Sequence, residues 1–261
     1  LVNKIGVSVK GNAIYTYEFG VGENRILIWS QMHGNESTTT KAIFDFLNRL
    51  HIKDENISLL ISKCTFCIIP ILNPDGAEEY TRLNANGVDL NRDSQSLTQP
   101  ESKLLKNLYD KFKPDFCFNL HGQRTIFSAG FSSNSSVLSF LSPAQNEQRS
   151  IGKTRKIAMG IICAIKDDLK SLLEGKISRY DDSFNINCVG DSFQSLETPT
   201  VLFEAGHFPG DYNREKTRYF VYRALLTSFL HIANKGSLAS EYQGYFELPK
   251  NQKLFFDVII R

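Results

Sequence analysis

The sequence predicts an α/β fold: a mostly parallel β-sheet with helices on both faces. Three observations carry that prediction. Short apolar runs rich in strand formers alternate with segments whose apolar residues recur at helical spacing, the order that builds parallel sheets. The chain has 261 residues, 41% of them apolar, and a chain this long buries roughly three-quarters of its unfolded surface in one core. Three of the strand-like runs end in His, Glu and Gly, and in open α/β sheets the ligand site lies beyond the carboxyl ends of the strands.

Taken in order, Arg25 to Gln31 (RILIWSQ) is the first clear strand. Ser37 to Leu50 follows as a helix, with Ile43, Phe44, Leu47 and Leu50 at helical spacing. The β-branched run ISLLISKCTFCIIPILNP reads as two strands ending near Asn73, and Pro74-Asp75-Gly76 is turn chemistry. Residues 76 to 100 are polar and rich in Asn, a long ordered loop of the kind that is usually functional. A helix from Glu101 to Lys113 leads into the strand DFCFNL at 115 to 120. Residues 128 to 144 are rich in Ser and read as irregular. A long helix from Glu147 to Lys176 carries Ile157, Ile161, Ile165, Leu169 and Leu172 along one stripe. Thr200 to Gly206 (TVLFEAG) is a strand, Asn213 to Asn234 the last helix, and Tyr245 to Ile260 a terminal hairpin turning at Pro249-Lys250-Asn251. Residues 1 to 240 are expected to form the main domain and 241 to 261 a C-terminal β-hairpin extension of unknown role.

Composition excludes several function classes. Thirty basic and 28 acidic side chains give a net charge of +2 with no sustained block of either sign, which argues against nucleic acid as a partner. No run approaches the ~18 to 20 continuous apolar residues of a membrane span. The ordinary apolar content excludes a disordered chain. Five thinly spread cysteines do not form a secreted disulfide framework. Cys64 and Cys67 form a CxxC, but three apart on a strand they point to opposite faces and read as buried core residues rather than metal ligands. The chain begins Leu1-Val2-Asn3 without a methionine, which leaves a trimmed signal peptide open; because no signal peptide is seen and the cysteine count is odd, a cytoplasmic location is slightly favoured and the compartment otherwise unknown.

The chemistry concentrates at three strand ends. Met32-His33-Gly34-Asn35-Glu36 follows the first strand, His121-Gly122 follows DFCFNL, and Glu204-Ala205-Gly206-His207 closes TVLFEAG. His33 and Glu36, three apart where a loop enters a helix, can share a cation. Two His and one Glu leave a fourth position for water, as catalytic zinc sites do. His207 is a rival third ligand; His121 is preferred because it ends its own strand, whereas His207 lies beyond Glu204 in a turn flanked by Gly and Pro. A GxSxG elbow, a GxxxxGK[ST] loop and a complete GxGxxG are all absent.

Asn73-Pro74-Asp75-Gly76, followed by Arg82-Leu83-Asn84-Ala85-Asn86-Gly87-Val88-Asp89-Leu90-Asn91-Arg92, closely resembles the zinc carboxypeptidase family. HGNE resembles that family's HxxE ligand pair, NLHG its third-ligand segment and FEAG its catalytic glutamate strand. The motifs run in the family's order from 33 to 204, about two-thirds of the chain. The resemblance implies a mixed, mostly parallel sheet of about eight strands with helices on both faces. It assigns one Zn²⁺ per chain to His33, Glu36 and His121, the general base and acid to Glu204, and polarisation of the scissile carbonyl to Arg82. Asn91 and Arg92 match the pair that grips a substrate's terminal carboxylate, so the implied partner is a peptide or peptide-like substrate with a free carboxylate. Tyr180 is the candidate for the family's mobile tyrosine, although Ser183 or Phe184 stands nearer the expected position. The residue that sets side-chain preference falls at Gly190 or Asp191; Asp191 there would favour a basic side chain.

Three readings compete. The first is a zinc metallocarboxypeptidase removing a C-terminal residue. The second is a zinc amidohydrolase or deacylase acting on a cell-wall peptide or an N-acyl amino acid. The third is a binding module on a peptidase scaffold, whose signature would be loss of a ligand or of the base; neither is lost.

Overall fold

The computed structural model describes residues 1–52, 54–234, 241–256 and 258. An eight-stranded mixed sheet runs in the order β1-β2-β4-β3-β5-β9-β7-β8. Its strands are β1 (Val2–Val7), β2 (Ala13–Gly20), β3 (Asn24–Ser30), β4 (Cys64–Ile69), β5 (Phe116–Gly122), β7 (Leu138–Leu141), β8 (Ile177–Arg179) and β9 (Thr200–Ala205). A separate two-residue ribbon pairs β6 (Ser128–Ala129) with β10 (Asn251–Gln252). The central strands β4, β3, β5 and β9 are parallel to one another, whereas β2 and β7 run antiparallel to them.

The helices are α1 (Thr38–Arg49), α2 (Glu55–Lys63), α3 (Pro74–Glu79), α4 (Pro100–Phe112), α5 (Lys153–Leu169), α6 (Val189–Ser195) and α7 (Glu215–Asn234). Alternation along β3 divides the core into two layers. Ile26 and Ile28 face α1, α2, α5 and α7, while Leu27 and Trp29 face α4 and α6. The CxxC obeys the same alternation, with Cys64 buried in the first layer and Cys67 in the second, both as free thiols. Phe229 of α7 packs 5.0 Å from Phe46, 5.1 Å from Phe66 and 5.3 Å from Phe118, centroid to centroid. Tilted and edge-on pairs of this kind add about 0.5–1.5 kcal/mol each beyond burial, and they seat α7 across β4 and β5.

Several expected elements differ. ISLLISK is not a strand but α2, because Asp54 accepts a hydrogen bond from Ile57 N at 2.9 Å and Ile57 and Leu60 bury the same helical face. The strand that follows ends at Ile69. The turn at Pro74 is the first turn of α3, capped by Asn73 Oδ1 on Gly76 N at 2.9 Å. The helix expected from Glu147 to Lys176 is the shorter α5, and Leu172 lies beyond its end, 48% exposed. The serine-rich stretch contains β6 and β7. In place of the terminal hairpin, Gln243–Glu247 form a 3-10 turn, and Asn251–Gln252 pair with Ser128–Ala129 rather than with another part of the tail. Residues 257 and 259 to 261 of that expected hairpin lie outside the described residues.

Candidate metal centre and cleft

The parallel register brings the strand ends level. In the β5–β9 pairing His121 stands opposite Glu204, and β3 lies on the other side of β5 with its end at Ser30. The chain leaves β3 through Gln31, which has φ 52° and donates from Nε2 to Gly34 O at 2.7 Å. Gly34 is required there, because a Cβ would lie 1.9 Å from the backbone carbon of Gly76 at the start of α3. This tight passage turns His33 and Glu36 back over the end of β5.

The three donors converge. His33 Nδ1 lies 2.9 Å from Glu36 Oε1, His121 Nδ1 lies 3.0 Å from Glu36 Oε2, and the two Nδ1 atoms are 3.1 Å apart. All the candidate donor atoms lie within 4.8 Å of one another. His33 Nε2 meets Asp89 Oδ1 at 3.0 Å. With that nitrogen donating to a carboxylate, neutral His33 presents a lone pair at Nδ1, facing a second carboxylate and a second imidazole. Acceptors aimed at one point call for a cation, and two imidazoles with one carboxylate suit zinc. The carboxylate behind His33 is the usual partner of a ligating imidazole. His207 is not in this cluster; its ring lies beside Tyr212 and Phe255.

Charges around the centre are arranged in layers. Glu36 also accepts from Gly122 N at 2.9 Å and from Arg82 Nη1 at 3.3 Å. Burial pushes its pKa up, but His121 and His33 outweigh this and hold it well below the usual carboxylate range. Asp89 is pulled below its ordinary value in the same way: burial opposes, while His33, Arg82 and the amide of Asn91 favour the ionised form. Arg82 grips Asp89 Oδ2 through Nε (3.2 Å) and Nη2 (3.1 Å). Glu204 is in the opposite situation. Burial and the nearby Glu36 raise its pKa well above the ordinary value against Arg82, and its Oε2 is buried with no hydrogen-bond partner among the described residues.

A cleft of about 1230 Å³ opens over these groups. It is lined by all eight residues singled out from the sequence: His33, Glu36, Arg82, Asn91, Arg92, His121, Tyr180 and Glu204. Asn91 Oδ1 accepts from Val189 N at 3.0 Å, fixing the side chain at the start of α6. Arg92 donates from Nη1 to Asn91 O (2.7 Å) and to Cys188 Sγ (3.2 Å), so the 3-10 turn Leu90–Arg92 and α6 jointly hold the pair. Tyr180 packs edge-on against Phe127 at 5.7 Å; Ser183 and Phe184, its rivals, line the cleft too. Gly190 and Asp191 both line it, and burial pushes Asp191 up to about 7 against hydrogen bonds from Asn185, Ala144 and its own backbone.

Sequence reasoning missed Asp89. It sits inside the quoted motif, and its Asx-type bond to Asn91 N (2.9 Å) was a local signal for an ordered carboxylate.

Residues 1–189 match the zinc carboxypeptidase family. An uncharacterised protein of Zymomonas mobilis is 32% identical over 135 residues, covering 49% of this chain and 36% of its own length. A probable carboxypeptidase 2 of Arthroderma benhamiae is 27% identical over 100 residues, covering 38% of this chain and 19% of its own. The chain thus spans about a third or less of these curated relatives. A metallo-carboxypeptidase structure from Burkholderia cenocepacia superposes with a TM-score of 0.70 at 20% identity, covering 90% of this chain and 64% of that one; it has the same fold.

Proposed function

The chain belongs to the zinc carboxypeptidase family, and from that premise we propose that it is a zinc-dependent hydrolase that removes the C-terminal residue of a peptide. One observation carries the proposal: Glu204, a half-buried carboxylate whose Oε2 is buried without a hydrogen-bond partner among the described residues, faces the His33–Glu36–His121 cluster in a cleft whose wall presents Asn91 and Arg92.

His33, Glu36 and His121 would hold one Zn²⁺. When bound, zinc supplies Lewis acidity and lowers the pKa of a water toward about 7. Glu204 takes a proton from the attacking water and delivers it to the departing amine, a role open to a carboxylate whose Oε2 has no other hydrogen-bond partner among the described residues. Arg82, steered by Asp89, places a guanidinium where the carbonyl oxygen gains negative charge. Arg92 offers a planar fork for the terminal carboxylate, and Asn91, its oxygen committed to Val189, has its amide nitrogen left to donate. Tyr180 closes one side of the cleft.

The test is a double comparison on zinc-loaded protein. Amidating the C-terminus of a good substrate should lower kcat/KM roughly 10- to 100-fold, since charge-assisted bonds are worth about 1.5–3 kcal/mol each. Arg92→Ala should impose a similar loss on the free acid and little further loss on the amide, because both changes remove one contact. Equal cleavage of acid and amide would end the carboxylate-clamp reading. A parallel digest of a mixed peptide and muropeptide library, read by mass spectrometry, should show single-residue losses from C-termini. Release confined to muropeptides or acyl amides would instead favour the amidohydrolase.

A further inference from the structure

The cleft contains a second cationic residue, carried by a different element from Arg92. Most of its basic residues already have partners. Arg82 is engaged by Glu36 and Asp89, Arg92 by Asn91 and Cys188, and Arg214 donates to the carbonyls of Ala205 (3.3 Å) and Gly206 (2.6 Å). Among the described residues, Arg124 and Lys41 line the cleft without a side-chain hydrogen bond or ion pair. They differ in what they face. Arg124 follows His121 by three residues, and its charge reaches the Tyr180 hydroxyl. Burial and Glu204 raise the pKa of that hydroxyl, while Arg124 and Arg82 lower it. Lys41 stands on α1, outside the loop that packs on Tyr180 through Phe127. Arg92 acts instead on Cys188, beside Asp191. Phe127, three residues beyond Arg124 on the same loop, packs edge-on against Tyr180 at 5.7 Å, whereas Arg92 is bonded to Cys188 just before α6, so the two cations are carried by different elements of the cleft lining.

The loop that carries Arg124 is fastened at both ends. At its start, Gln123 N donates to Ala205 O (3.0 Å), prolonging the β5–β9 pairing past His121 and Glu204. Gln123 Nε2 donates to Ser136 O (3.2 Å), and its Oε1 accepts from Ser139 Oγ (3.0 Å) and from Asn251 Nδ2 (2.7 Å). Asn251 Oδ1 in turn accepts from Ser139 Oγ (2.9 Å) and from Ser178 Oγ. Gln123 and the three serines of this network, Ser136, Ser139 and Ser178, are buried. At the loop's other end, β6 pairs with β10, and Phe255 N donates to Ile126 O at 3.1 Å. The tail expected to stand apart as an extension is therefore a strap under the cleft wall. The backbone from which Arg124 projects is ordered before any substrate arrives, which lowers the entropy cost of a contact made there.

We propose that Arg124 is a specificity-determining residue that binds a side-chain carboxylate on the N-terminal side of the scissile bond, and that Asn251 is the residue that positions its loop. The proposal deepens the carboxypeptidase reading and rests on it. A carboxylate is the ligand chemistry that matches a guanidinium lacking an acidic partner. Arg92 takes the terminal carboxylate, so a second carboxylate bound elsewhere in the cleft belongs to a residue before the scissile bond, and the favoured substrate carries two negative groups that flank the bond to be cut.

The experiment measures binding, so that it needs no turnover. Zinc-loaded Glu204→Gln protein is titrated with peptides carrying Glu or Gln at each of the two positions before the terminal residue. Glu at one of these positions should bind about 3- to 10-fold more tightly, the range for a charge-assisted contact that is partly open to water. Adding Arg124→Gln should bring that ratio to about one, and Arg124→Glu should turn the preference toward Lys. Asn251→Ala should shrink the ratio although Arg124 is intact. An unchanged ratio in Asn251→Ala protein that has merely lost thermal stability overturns the positioning role. Equal binding of Glu and Gln peptides with Arg124 present overturns the subsite alone. Failure of every peptide to bind overturns the carboxypeptidase reading and the subsite with it.

Discussion

Two carboxyl groups in this cleft have raised pKa values for the same physical reason, and each yields a prediction. Glu204 stands half-buried opposite His121 with a buried oxygen that no described residue satisfies. Glu204→Gln keeps the shape and removes the proton acceptor, so turnover of a cleaved substrate should fall ~10² to 10⁴-fold while zinc content is retained. Activity within a few-fold of the parent would remove Glu204 from the mechanism. Asp191 is held at about 7 by burial, above its ordinary 3.8, with Arg155 and backbone hydrogen bonds opposing. The folded protein keeps this proton where the unfolded chain has lost it. Its contribution to stability is therefore fully present below about pH 4 and is lost as pH rises through about 7. Asp191→Asn should be nearly neutral at pH 4 and stabilising at pH 8, by about 2–4 kcal/mol. Urea unfolding at the two pH values checks this; the same effect at both would mean that Asp191 does not titrate in that window. Residue identities at the site were legible because His, Glu, Asn and Arg stood at strand ends in a fixed order. Asp89 was legible only as an ordered carboxylate, since its contact with His33 spans 56 residues of chain, information that no local spacing carries.

At the scale of elements, legibility followed how far local chemistry and packing agreed. RILIWSQ, DFCFNL and TVLFEAG are buried on both faces, so composition alone identified β3, β5 and β9. ISLLISK failed for the opposite reason. Its Ile and Leu content favours a strand, but Asp54 caps it and Ile57 and Leu60 face α7 and β2, so packing overrides propensity. Asp54→Ala should therefore cost about 0.5–2 kcal/mol in a chemical denaturation midpoint without altering metal content. A loss below the lower figure would show that burial alone holds α2. The tail was misread because alternation predicts a strand but not its partner. Asn251 and Gln252 found theirs more than 120 residues earlier, at Ser128 and Ala129.

The molecule as a whole is tied together at one point. His33 leaves β3, Glu36 precedes α1 and His121 ends β5, so a cation held by these three would join the two central strands to the helix packed on them. No helix among the described residues is long and apolar enough to cross a membrane. The sheet's own cohesion comes from the paired aromatic and aliphatic layers, so the fold should survive metal removal but lose the linkage term. A ligand at 100 times its dissociation constant stabilises by about 2.7 kcal/mol. For a chain of this size that corresponds to a Tm fall of roughly 5–10 °C on chelation. His121→Ala should hold markedly less zinc, start from a lowered Tm and show little further change with chelator. His207→Ala should keep both its zinc and its full response to chelator. Reversal of that pattern would move the third ligand to His207, whereas a Tm unmoved by chelation in the parent protein would mean that the three donors hold no structural cation at all.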